Sequence, residues 1–149
     1  MMKCLSSLRA MGAFVATPGV LWGLAAAYGA LDRPVEGLDC LGEAAEFIEK
    51  TGERTHESDV ALVRGYLLLA TGDRIMAEES YRRALAIATQ RCGRTSELRG
   101  ATVLARLWRD EGKRTEAVIL LAPIYNWFTQ GFDTPVLKEA KALLDELHA

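Results

Sequence analysis

The sequence predicts an all-α protein built from repeated pairs of antiparallel helices, that is, a helical solenoid. One complete helix–turn–helix pattern occupies residues 58–93, with an apolar helical run before Gly72-Asp73 and an apolar stripe after it. The pattern recurs at an offset of forty residues, which puts turn positions at Asp32, Gly72 and Gly112. Because one helix pair cannot bury its apolar face alone, a constant spacing of this kind indicates stacked repeats.

The central helix pair is defined by its turn and by its small residues. Gly72 ends the first helix and Asp73 caps the second. The apolar residues of the second helix have the spacing of one helical face: Ala77, Tyr81, Ala84, Leu85 and Ala88. With Gly65 in its first helix, the unit resembles the tetratricopeptide (TPR) repeat, although Arg64 stands where that family has a large apolar residue.

Carried along the chain, the forty-residue register predicts a single TPR-like domain over residues 1–149. Its parts are a half repeat, three full repeats and a C-terminal capping helix, at 1–12, 18–52, 58–93, 98–131 and 134–148. Thr134 is expected as the N-cap of the capping helix and Pro135 as its first helical residue. Pro123 falls inside a predicted helix, where we expect a kink and no break.

Composition narrows the class of function. The 18 basic and 20 acidic side chains give a net charge of −2, which argues against nucleic-acid binding through phosphate contacts. Cys4, Cys40 and Cys92 lack metal-ligand spacing, so reduced thiols and a cytoplasmic location are expected, without a metal site. The chain has no phosphate-binding loop and no catalytic constellation, so we expect neither enzyme activity nor a cofactor.

The uncharged segment 10–31 allows two interpretations. It follows Lys3 and Arg9, as a signal or membrane segment would. However, Pro18-Gly19 and further glycines interrupt it, and its register matches the first repeat. A repeat helix is therefore favoured over a membrane anchor, and fractionation with detergent would distinguish the two.

Several conspicuous side chains have a structural explanation. His56 and His148 have no partner at metal-ligand spacing, and we expect both to be solvated. Trp108 and Trp127 are expected at core or near-core positions of the third repeat.

The resemblance to TPR repeats implies a binding surface, because the first helix of each repeat lines the concave wall in that family. The residues expected to contact a partner there are Leu62, Tyr66, Leu69, Arg99, Thr102, Arg106 and Arg109. Their apolar and basic character predicts a groove for a protein or peptide that carries carboxylates. The alternative is that the arginines form a solvated face, paired with Asp110 and Glu111.

The segment from Ser96 onward is similar to the C-terminal TPR tail of large bacterial signalling proteins that join a class III adenylate/guanylate cyclase domain and an ATPase module. The resemblance implies a scaffold or regulatory segment. An alternative function is therefore that of a regulatory tail of such an enzyme, whose catalytic domains are absent from this chain.

The register also predicts self-association at the N-terminal end. Met1, Leu5 and Leu8 fall on the apolar stripe of the half repeat, and an uncapped repeat exposes such a stripe. We expect either that the chain is a fragment of a longer protein or that it forms a homo-oligomer through residues 1–12. Leu5→Glu with Leu8→Glu should abolish this association, whereas light scattering that shows a monomer at high concentration would contradict it.

Overall fold

The computed structural model describes residues 18–149, and all regular secondary structure in this part of the chain is α-helical. The helices are α1 (Pro18–Ala30), α2 (Pro34–Thr51), α3 (Glu57–Ala70), α4 (Arg74–Gln90), α5 (Arg94–Asp110), α6 (Arg114–Asn126) and α7 (Pro135–His148). The predicted all-α class is confirmed. The predicted self-association residues Met1, Leu5 and Leu8 lie outside the described residues.

Four of the turns between successive helices share one backbone geometry. Each contains a residue in the left-handed conformation, and these residues are Asp32 (φ 57°), Gly72 (φ 91°), Cys92 (φ 54°) and Gly112 (φ 81°). The N–H of the next residue donates to the carbonyl five residues back, at 2.8–3.0 Å, as in a Schellman motif. At Asp32, Gly72 and Gly112, the helices therefore end at the turn positions that the sequence predicts.

A fifth left-handed residue, Gly52 (φ 72°), ends α2 and donates its N–H to Ile48 at 2.8 Å. With it, left-handed residues follow one another every twenty residues from position 32 to position 112. The predicted third repeat begins at 98, whereas α5 already begins at Arg94. In the turn before α5, the non-glycine residue Cys92 takes the left-handed position, and Gly93 is the N-cap of α5.

The chain divides into two compact units, with the boundary between Ser80 and Tyr81 inside α4. In the first unit, α1, α2 and α3 pack against one another. The buried residues of this core are Leu21, Ala25, Cys40, Leu41, Ala44, Ile48, Val60, Val63 and Leu67. Leu41, Ala44 and Ile48 of this core lie on one face of α2.

In the second unit, α7 packs against both α5 and α6. The buried residues of this core are Leu98, Ala101, Ala105, Ala117, Leu121, Leu137, Ala140, Leu143, Leu144 and Leu147.

Pro123 lies inside α6, which continues to Asn126, so the helix is not broken. Thr134 is the N-cap of α7 as predicted, but its hydroxyl donates to the Gly131 carbonyl at 2.7 Å and makes no capping bond to the helix.

Two sequence expectations need correction. Cys40 is fully buried and disulfide-bonded, so the expectation of reduced thiols is wrong at this position, while Cys92 is an exposed free thiol. Spacing in the sequence does not reveal which cysteines a fold brings together.

Trp127 is 56% exposed and does not belong to the core, because α6 ends one residue before it. Trp108 does pack at the edge of the core, as predicted.

No helix within residues 18–149 has the length and apolar content needed to cross a membrane. The helix that falls in the uncharged segment of the sequence, α1, has 13 residues.

Candidate binding surface

The candidate arginines lie on α5, a helix that is buried around most of its circumference. Between Glu97 and Leu107, every residue except Arg99 and Arg106 is buried. These two are seven residues apart, about two helical turns, so they emerge on the same side of the helix, and Arg109 follows one turn later. Long arginine side chains can reach solvent from such a helix while their aliphatic stems pack against neighbouring residues. The water-accessible part of this stretch of α5 is therefore basic.

Two of the candidate residues do not form part of an exposed wall. Thr102 is buried, and its hydroxyl donates to the carbonyl of Leu98 in the preceding turn at 2.7 Å. Leu62 is buried on α3, at the position that corresponds to Thr102 in the forty-residue register. Neither side chain offers surface to a partner, because both are enclosed by the protein itself.

The other two apolar candidates, Tyr66 and Leu69, lie on α3 in the first unit. Tyr66 is exposed and Leu69 is partly exposed. They give α3 a small apolar surface with a phenol group, a combination that is common in protein interfaces.

The arginines are paired with carboxylates, and most of these carboxylates come from α7. The Nε of Arg109 donates to Asp110 at 3.0 Å, and its guanidinium also forms an ion pair with Glu146. The Nη2 of Arg106 lies 4.0 Å from the Oε2 of Glu139. The alternative to a binding groove is an arginine face paired with Asp110 and Glu111. Asp110 does pair with Arg109. Glu111 forms an ion pair with Lys113 at 2.8 Å.

These hydrogen bonds stabilise the charge of Arg109. The bond to Asp110 above all, and also that to Glu146, raises the pKa of the Arg109 guanidinium, against an opposing effect of burial. Arg109 therefore keeps its positive charge over the whole pH range in which a folded protein is studied.

A second polar cluster in this unit was not identified from the sequence. Glu97 is buried, and its carboxylate accepts hydrogen bonds from Thr89 at 3.2 Å and from Arg94 at 2.8 Å. The Arg94 guanidinium lies 5.0 Å from the ring centre of Trp127. The i,i+3 spacing of Arg94 and Glu97 is the feature of the sequence that could have indicated their ion pair. Since both carboxylate oxygens have partners, the cluster is best explained as part of the structure.

His56 is less solvated than predicted. Its Nδ1 lies 3.5 Å from Asp59, and its ring centre is 6.2 Å from that of Trp22. The indole N–H of Trp22 is buried and has no hydrogen-bond partner among residues 18–149. Over the same residues, no group of three or more His, Cys, Asp or Glu side chains could hold a metal ion. His148 is exposed at the end of α7.

Comparisons with known proteins do not assign a family, because no protein-family model, curated protein or solved structure matches this sequence. The resemblance to TPR repeats therefore stays a prediction.

Proposed function

We propose that the chain is a non-catalytic protein–protein interaction module with a TPR-like solenoid architecture. In this proposal it binds an acidic peptide, or an acidic segment of a partner protein, along the arginine row on α5, which consists of Arg99, Arg106 and Arg109. Its role would be that of a scaffold or regulatory segment in signalling, in keeping with the resemblance to bacterial cyclase–ATPase tails.

The observation that carries the proposal is the selective exposure of arginine on α5. Over Glu97–Leu107, the parts of the helix that reach solvent are the side chains of Arg99 and Arg106. Guanidinium groups recognise carboxylates through paired hydrogen bonds. Arg106 and Arg109 already have carboxylate partners within the chain, so their geometry suits this kind of ligand.

The repeat geometry supports the architectural part of the proposal. Four turns have the same left-handed residue and the same hydrogen bond to the carbonyl five residues back. The first turn of each following helix has a buried residue at an equivalent position, and these residues are Gly37, Ala77, Glu97 and Ala117. Three of the four are small, as expected where helices of a repeat approach closely.

Charge reversal of the arginine row tests the function. Changing Arg99, Arg106 and Arg109 together to Glu should weaken binding of an oligoglutamate peptide about ten-fold or more and flatten its salt dependence. Fluorescence anisotropy with a labelled peptide at several salt concentrations would measure both effects.

A control triple variant distinguishes the effect of the arginine row on affinity from the effect of the net charge. Arg83, Arg91 and Lys138 are exposed basic residues of the second unit outside the row, and their change to Glu alters the net charge equally. We expect a much smaller loss of affinity in this control. Equal losses in the two triple variants, or no loss in the first, would exclude the arginine row as the binding site.

A further inference from the structure

We propose that α7 closes the arginine row in the free chain, with Glu139 and Glu146 as internal counterions that an acidic partner displaces. This inference rests on the proposed function, since it concerns the regulation of the same surface. Glu146 forms an ion pair with Arg109, and Glu139 lies 4.0 Å from Arg106. The backbone carbonyl of Glu146 also accepts a hydrogen bond from Arg114.

The placement of the two glutamates follows from the geometry of α7. They are seven residues apart, about two turns, and therefore share one face of the helix. The buried leucines of α7 fix the position of that face relative to α5 and α6. Two carboxylates are thus held against an arginine pair by a helix whose packing is independent of them.

The carboxylates can leave while the helix stays. The side chains of Glu139 and Glu146 are 65% and 58% exposed, so each can rotate into water at little cost. The helix itself is held by Leu137, Ala140, Leu143, Leu144 and Leu147, all buried. Displacement therefore requires rotation of two side chains and no unfolding.

The third exposed carboxylate of α7 has a different partner. Asp145 pairs with Lys141 on its own helix at 2.9 Å, and this contact raises the pKa of Lys141. Asp145 therefore gives a control on the same helix, since removing its charge leaves the pairs with α5 in place.

A binding experiment with neutralised glutamates tests this inference. The double variant Glu139→Gln with Glu146→Gln should bind a fluorescein-labelled oligoglutamate peptide about five-fold more tightly than the unmodified chain, which is about 1 kcal/mol. Its affinity should also fall more steeply with salt, because the arginines then have fewer internal counterions.

The control is the double variant Asp133→Asn with Asp145→Asn, which removes the same net charge and should change the affinity less than two-fold, within the range expected for long-range charge effects. If the glutamate variant binds no more tightly than this control, the closure of the row by α7 is excluded. If neither the unmodified chain nor any variant binds the peptide, the proposed function fails, and this inference fails with it.

A measurement without peptide distinguishes these two failures. The Nη–Hη resonances of Arg109 should move from their positions in the unmodified chain on Glu146→Gln and stay in place on Asp145→Asn, because Nη1 of Arg109 is the atom that pairs with Glu146. If these Arg109 resonances do not move on Glu146→Gln, the ion pair between Arg109 and Glu146 does not form in solution, and this result is independent of peptide binding.

Discussion

Replacing Ala77 with leucine is expected to lower the free energy of unfolding by about 1–3 kcal/mol through overpacking. Ala77 is 0% exposed and lies in the first turn of α4. The forty-residue register aligns it with Gly37 and Ala117, both buried, so this position takes a small residue in each repeat. Thermal unfolding followed by circular dichroism should show a fall of roughly 2–12 °C in Tm.

The matched control is Ala86→Leu on the same helix. Ala86 is exposed, and leucine is nearly as good a helix former as alanine, so its effect should stay within about 0.5 kcal/mol. Equal melting temperatures for the two variants would mean that the repeat register assigned to α4 is wrong.

The parts of the fold that could be predicted from the sequence are those with a local cause. Gly72 and Gly112 end helices because glycine adopts the left-handed conformation without steric cost, and both are identifiable from their own positions. The start of α7 at Thr134-Pro135 is likewise determined by neighbouring residues. The turn at Cys92 has the same geometry, but a cysteine does not indicate a left-handed residue.

The exposure and the partners of the candidate binding residues depend on contacts between helices that are distant in the sequence, and no local sequence pattern predicts these contacts. The forty-residue register predicts an exposed wall on the first helix of each repeat, whereas Thr102 and Leu62 are buried. The partners of the arginines are also remote. Glu146 is 37 residues from Arg109, and its place beside that residue results from the packing of α7 on α5.

Glycine-to-alanine substitutions at two positions of α2 should have opposite effects on stability. A β-carbon at Gly37 would lie 2.8 Å from the Leu67 Cδ1 and 3.0 Å from the Ala25 carbonyl oxygen, both closer than normal contact. Leu67 is buried and cannot swing into solvent, and the carbonyl belongs to the backbone of α1. Gly37→Ala should therefore destabilise the protein by about 1–2 kcal/mol, even after the gain in helix propensity.

At Gly42, in the same helix, no atom of the described residues lies within 4 Å of the position that a β-carbon would take. Here alanine adds helix propensity without a clash, and Gly42→Ala should stabilise the protein by about 0.5–1 kcal/mol. Urea denaturation of the two variants beside the unmodified chain measures both changes. Stabilisation by Gly37→Ala as well would contradict the close approach of α1 and α3 to α2, because an alanine that fits at position 37 needs space that this packing does not leave.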